Sequence, residues 1–317
     1  MRNKIVDVFP YFDPTGRELL ELRIKLLYDY VDEFVITESN RTQSGIPIER
    51  NLRNVLKEYG IPSDKIIIVD LDIPDDDNLV IEPIDVTNCY YEGASNIVAL
   101  RARVRERMQK DAIRSALYRY SEDTKFICSD SDEIINPHAI GWLCDVVDQI
   151  KDTSILCVPL IHYEVRADLR VLDQASNNWV RWDPLFIATK TQLTNSTPCG
   201  IRSNYYPYYQ RVWPAQNGVQ VQDLGWHFSW MGDKSKRAIK LESFSHHSDI
   251  NHGIVMGGYS NVDLREKIVE HEYDDGSPAP DSSHNAVLKK YPISVLPELI
   301  FDLPRVRKYL LPNLFSE

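Results

Sequence analysis

Short apolar runs alternate with longer amphipathic segments through the first half of the chain. Residues 5–11 (Ile-Val-Asp-Val-Phe-Pro-Tyr) read as a first strand. Over 18–31 the apolar Leu20, Ile24, Leu27 and Val31 recur on one helical face, so a helix follows. Buried strands are predicted at 34–37 and 66–69, then an acidic stretch over 70–77. A helix is predicted over 100–117, with Val104, Met108 and Ala112 on its apolar stripe, and another strand over 126–128. Alternation of this kind predicts an α/β fold, a central mostly parallel sheet flanked by helices. Ligands of such sheets bind beyond the carboxyl ends of the strands.

The second half is richer in strand-like runs, at 154–161, 180–189 and 237–244, separated by aromatic loops such as Tyr205-Tyr206-Pro207-Tyr208-Tyr209. Past about residue 260 the pattern becomes proline-punctuated and helical. The expected division is a main domain over 1–260, with halves 1–135 and 136–260, and a helical C-terminal appendage over 261–317.

Composition narrows the function classes. With 317 residues, 43% of them hydrophobic, the chain can bury a large core. A net charge of -11 repels phosphate backbones and anionic lipid, which argues against nucleic-acid or membrane-surface binding. No run of about 18 apolar residues occurs, and Met1-Arg2-Asn3-Lys4 leads straight into a strand, so no membrane span and a cytoplasmic location are expected. The five cysteines, Cys89, Cys128, Cys144, Cys157 and Cys199, lack CxxC spacing and read as free thiols in a reducing compartment. The sequons at Asn40 and Asn195 then carry no meaning.

The candidate chemistry centres on Asp130-Ser131-Asp132-Glu133, three carboxylates in four residues directly after a buried strand. Two such charges about 5 Å apart repel by roughly 3 kcal/mol at an effective dielectric near 20, so the folded site needs a counter-charge. A divalent cation, Mn²⁺ or Mg²⁺, would supply it and could bridge Asp130 and Asp132 to a diphosphate. Two readings without that role stay open: a phosphohydrolase with Asp130 as nucleophile, although Ile134 replaces that motif's hydroxyl or valine, and a non-catalytic carbohydrate-binding protein built on the aromatic clusters.

The helix before the acidic run carries Arg101, Arg103, Arg105, Arg107, Lys110 and Arg114. Some of these, Arg107 among them, could reach a diphosphate together with Asp111, which would take a donor-sugar hydroxyl; a solvated basic face is the plainer alternative. In Gly225-Trp226-His227-Phe228-Ser229-Trp230 two tryptophans surround one histidine, faces that suit a sugar ring beside a catalytic imidazole. Lys240 could neutralise phosphate, and His246 could be a third metal ligand. Tyr208 and Trp213 belong to a cluster that reads equally as acceptor platform and as core packing.

Four segments, in order, resemble the family 17 glycosyltransferases, typified by the enzyme that adds bisecting N-acetylglucosamine to N-glycans. They are Leu20-x-x-Arg23 with Val31-Asp32-x-Phe34-Val35-Ile36-x-Glu38-Ser39-Asn40-x-Thr42-x-x-Gly45, then Asp130-Ser131-Asp132-Glu133-Ile134, then Gly225-Trp226-His227-x-Ser229-Trp230, then Lys240-Leu241-x-Ser243. The resemblance implies a GT-A nucleotide-sugar fold, a UDP-sugar donor, a glycan acceptor and an inverting transfer that forms a β-linkage. It makes Asp130 and Asp132 metal and donor residues and puts Glu38, Asn40 and Thr42 beside the nucleotide. Inversion calls for a general base; Asp223 is the first choice, with Glu133, Asp183, Glu242 and Asp249 as substitutes. Gly16 stands where the family usually has a glutamate. The missing membrane anchor makes the chain look like a bacterial or viral member acting on another glycan.

Overall fold

Sixteen strands and a set of short helices make up the described residues of the structure, a computed structural model covering 3–13, 15–81, 97–203, 209–245, 265–280 and 286–314. In chain order the strands are β1 (Ile5–Tyr11), β2 (Glu33–Ser39), β3 (Ile66–Leu71), β4 (Lys125–Cys128), β5 (Glu133–Ile135), β6 (Ser154–Cys157), β7 (Leu160–Glu164) and β8 (Leu169–Asp173). There follow β9 (Asn178–Trp179), β10 (Arg181–Trp182), β11 (Phe186–Thr189), β12 (Gln210–Val212), the hairpin β13–β14 (Ala215–Gln216 and Val219–Gln220), β15 (Gly225–Ser229) and β16 (Ala286–Lys290).

The first sheet has the order β12-β6-β11-β4-β1-β2-β3. Every pairing in it is parallel except the two made by β11. Its inner strands are apolar on both faces, as parallel strands covered by helices must be: Phe34, Val35 and Ile36 of β2 are all fully buried. The helix Arg17–Leu27 covers one face with Leu19, Leu20, Leu22, Ile24 and Leu27. On the other face lie Ile113, Ala116 and Leu117 of a 3-10 turn, Ala112–Arg119, into which the helix Ile97–Asp111 tightens. The expected single helix over 100–117 is therefore two elements.

The second sheet, β16-β8-β7-β15-β5 with β9 and β10 on its flank, is mainly antiparallel. The chain passes between the sheets from β4 to β5, from β6 to β7 and from β10 to β11, so the expected strands over 154–161 and 180–189 each divide between two sheets. Gly225 permits the close approach of β15 to β5, since a Cβ there would lie 2.3 Å from the Ile134 carbonyl oxygen.

Two expectations fail. The run 237–244 is not a strand but part of the helix Lys234–Ser243. Asp233 caps it by accepting from the Lys236 N–H at 3.0 Å, and Ala238, Leu241 and Phe244 recur at helical spacing to pack on Trp230, Ile268 and Val269. The C-terminal part is not purely helical, because β16 extends the second sheet through five register pairs with β8. Its last helix, Pro304–Leu310, packs on Arg17–Leu27.

Candidate active site

The turn from β4 into β5 is where the chain leaves the first sheet for the second, and it consists of Ser129, Asp130, Ser131 and Asp132. Arg23, fully buried, shapes it: the guanidinium pairs bidentately with Asp7 of β1 at 2.6 and 2.7 Å and donates to the backbone carbonyls of Asp130 and Glu133, each at 2.8 Å, and to Ser129 Oγ. From the other sheet, the Phe228 N–H donates to the Asp132 carbonyl at 2.9 Å. The turn thus presents Asp130 and Asp132 to a cleft of about 540 Å³ that runs from the end of β1 (Pro10, Tyr11) past Arg103, Glu106 and Lys110 to Trp182, His227, Trp230 and Lys240. That volume is within the range of small-ligand sites.

Protein cations already meet these carboxylates. Arg202, at the end of the helix Pro198–Arg202, bridges Asp130 and Glu133 at 2.6 Å each, and Lys110 Nζ lies 3.2 Å from Asp130. Lys240 Nζ donates to Asp132 at 2.8 Å, and His227 Nε2 stands 3.8 Å from the other oxygen. Burial works against the Asp132 charge, but Lys240 and His227 outweigh it and hold the carboxyl below the usual range. The counter-charge that the sequence argument assigns to a metal is therefore supplied in part by side chains.

Glu133 has a structural task. It is fully buried, accepts from Arg202, the Trp182 indole N–H and the Asp130 N–H, and stays ionised far below the usual carboxylate range because Arg202 overcomes the burial penalty. A carboxylate so engaged is poorly placed to take an acceptor's proton. His227 stacks on Trp182 (ring centroids 4.2 Å apart) and on His162 (4.8 Å), and those two rings lie 5.2 Å from each other, so the three form one cluster.

Of the remaining sequence candidates, Thr42 and Trp230 also line the cleft. The others do not. Glu38 accepts from the Asn51 and Leu52 N–H groups at 2.6 and 2.7 Å at the start of the helix Leu52–Glu58. Asn40 accepts from the Ile73 N–H. Asp111 accepts from the Cys199 N–H at 2.8 Å; burial pushes its carboxyl up to about 6 against that bond and the Thr197 hydroxyl. Arg107 lies near Asp111, outside the lining.

Asp223 sits at the far end of β15, left-handed (φ 58°) and paired with Arg170 at 2.8 Å. It lies five residues from Phe228, which at about 3.3 Å per strand residue is on the order of 16 Å from the turn. Trp226 is buried in the main core with its indole N–H on the Val295 carbonyl, and Trp213 donates to Asp183. Tyr208, His246 and Asp249 fall outside the described residues.

Sequence reasoning missed Arg202, Trp182 and the role of Arg23. Thr197 before Pro198 marks a helix start, its hydroxyl accepting from the Gly200 N–H, and that is the one local signal that could have drawn attention to Arg202.

The model of glycosyltransferase family 17 matches residues 3–165, more than half of the 317-residue chain. The chain belongs to glycosyltransferase family 17. The match includes Arg23, Gly45 and the Asp130–Glu133 turn; the segments around His227 and Lys240 lie beyond it. Gly45, a residue of the family-like segment, has φ +100°, and a Cβ there would press on the buried Arg105 guanidinium at 2.8 Å. A crystal structure of a mycobacterial protein is similar at 14% identity with a TM-score of 0.31, over 61% of this chain. The chain spans 56% of that protein's length, a likeness too slight to carry fold or function. No curated protein matches the chain. Among the described residues of this family 17 member, no helix is long and apolar enough to cross a membrane.

Proposed function

We propose that this family 17 member transfers a sugar, N-acetylglucosamine as the first candidate, from a UDP-sugar to a glycan acceptor in the cleft of the Asp130–Asp132 turn, forming a β-linkage by inversion. The reading rests on one observation: two carboxylates fixed at the carboxyl end of β4 line, together with the Lys110, Arg202 and Lys240 cations paired to them, a cleft of about 540 Å³. The fold around it, a mostly parallel sheet flanked by helices, fits a GT-A domain.

The donor set suits Mn²⁺ or Mg²⁺. Among the described residues no cluster of three His, Cys, Asp or Glu could hold a metal, and Asp130 with Asp132 is the kind of pair such ions accept when water and substrate phosphates complete their shell. Bound there, the cation would neutralise charge on the departing diphosphate. Lys110, Lys240 and Arg103 line the same wall and would hold phosphate oxygens by charge-assisted hydrogen bonds. His227, held in a cluster with Trp182 and His162, would orient Asp132. Trp230, Tyr11 and Tyr309 offer aromatic faces to sugar or base.

A thermal-shift panel of nucleoside diphosphates and their sugars, with and without Mn²⁺, tests the reading. Binding at 100 times the dissociation constant stabilises by about 2.7 kcal/mol. A shift with uridine nucleotides plus Mn²⁺ is expected. No shift with any nucleotide, or phosphate release from a generic aryl phosphate, would overturn it.

A further inference from the structure

The charges around the cleft cancel among the described residues: Asp130, Asp132, Glu106 and Glu133 are balanced by Lys110, Lys240, Arg103 and Arg202, joined in one chain of ion pairs on Asp130 and a separate one on Asp132. A divalent cation arriving alone would leave this wall with surplus positive charge and would compete with an ammonium for each aspartate. A diphosphate arriving alone would meet Asp130 and Asp132 with the described cations of this wall already paired to carboxylates. Together the two guests bring little net charge.

Lys240 is the side chain placed to respond. Its Nζ is 2.8 Å from Asp132 and also 5.2 Å from the centroid of the Trp230 ring, and its backbone is fixed in the helix Lys234–Ser243. The ammonium can therefore leave Asp132 by side-chain torsions alone while staying over an aromatic face that tolerates a cation.

We propose that Lys240 occupies Asp132 in place of the divalent cation, so that cation and nucleoside diphosphate bind as an interdependent pair and each binds weakly alone. On binding of the pair, Lys240 moves from Asp132 to a phosphate oxygen. This inference rests on the donor reading of the cleft.

Isothermal titration calorimetry of the full chain with MnCl₂, with UDP, and with each in the presence of the other tests it without reference to turnover. In the wild type, saturating UDP should tighten Mn²⁺ at least tenfold, and Mn²⁺ should tighten UDP by the same factor, as linkage requires. In Lys240→Gln, Mn²⁺ alone should bind at least tenfold more tightly than in the wild type, UDP alone more weakly, and the coupling should shrink. Lys240→Arg keeps the pair with Asp132, so its Mn²⁺ affinity alone should stay as weak as in the wild type. Unchanged affinity for Mn²⁺ alone in Lys240→Gln, with joint Mn²⁺ and UDP binding intact, overturns the inference and leaves the donor reading standing; tighter Mn²⁺ binding in Lys240→Arg does the same. If the wild type binds neither guest in any combination, the donor reading falls and this inference with it.

Discussion

The two walls of the cleft are built on different rules. The wall on the first sheet carries the charges, Asp130 after β4 and Lys110 and Arg202 on neighbouring helices, and the parallel pairing of β1, β2, β3 and β4 sends their carboxyl ends to the same edge. The wall on the second sheet carries rings, and there the alternation of side chains decides which residue of a strand faces the cleft. Within β15 that alternation turns His227 toward Trp182 while its neighbour Trp226 enters the core. A motif that reads as one functional unit is thus divided between chemistry and packing, whereas an acidic run at a strand end is delivered whole.

The sharpest test of this contrast lies within the acidic run. Asp132→Asn should lower sugar transfer by about 10²–10³-fold, the scale of losing one preorganised charge contact, and shift the melting temperature by no more than ~3 °C. Glu133→Gln, one residue away, should behave in the opposite way: breaking a buried pair with Arg202 costs about 3–5 kcal/mol, read by denaturant unfolding. Equal effects of the two on folding would erase the distinction between presented and buried carboxylates.

On the ring-bearing wall, Trp226→Ala should cost about 3–5 kcal/mol as a core truncation, with the residual folded fraction binding nucleotide normally. Loss of nucleotide binding in still-folded protein would return Trp226 to the site.

Acid titration separates groups by sign. Asp132 and Glu133 have folded values below the ordinary ones, so they contribute stability above pH ~4 that is lost as pH falls further. Asp111 is raised to about 6, so its contribution is complete below its ordinary value and is lost as pH rises through about 6. Asp111→Asn should therefore stabilise the protein at pH 7 by on the order of 1 kcal/mol and flatten the decline between pH 4 and 6 in chemical unfolding. The smallest effect on transfer is expected at Asp223→Asn, which weakens the hydrogen bonds to the buried Arg170 guanidinium far from the turn: a loss on the order of 1 kcal/mol, with transfer unchanged. Abolished transfer there would reinstate Asp223 as the base.

Much of the first wall was legible in the chain. The strands at 5–11, 66–69 and 126–128 show as apolar runs, and the three carboxylates after the last of them stand out in the chain, although the fold presents only Asp130 and Asp132 to the cleft and buries Glu133. Arg202 was not legible because nothing local distinguishes it; only the fold brings it within 2.6 Å of residues about 70 positions earlier. Lys240 was set in a strand although it lies in the helix Lys234–Ser243, since a few residues of a short amphipathic helix satisfy either period. Trp182 was hidden because its significance depends on a partner strand, β7, that places it against His227.

Arg23 leaves a last consequence. It grips the acidic turn through main-chain carbonyls, not through the aspartate side chains. The frame and its cargo are therefore separable: side chains at 130 to 132 can be exchanged while the loop keeps its path. Such a site can change its preferred ion or leaving group by single substitutions without rebuilding its architecture, and a laboratory can swap Asp132 for Glu or His and read the outcome as altered reactivity on an unaltered scaffold.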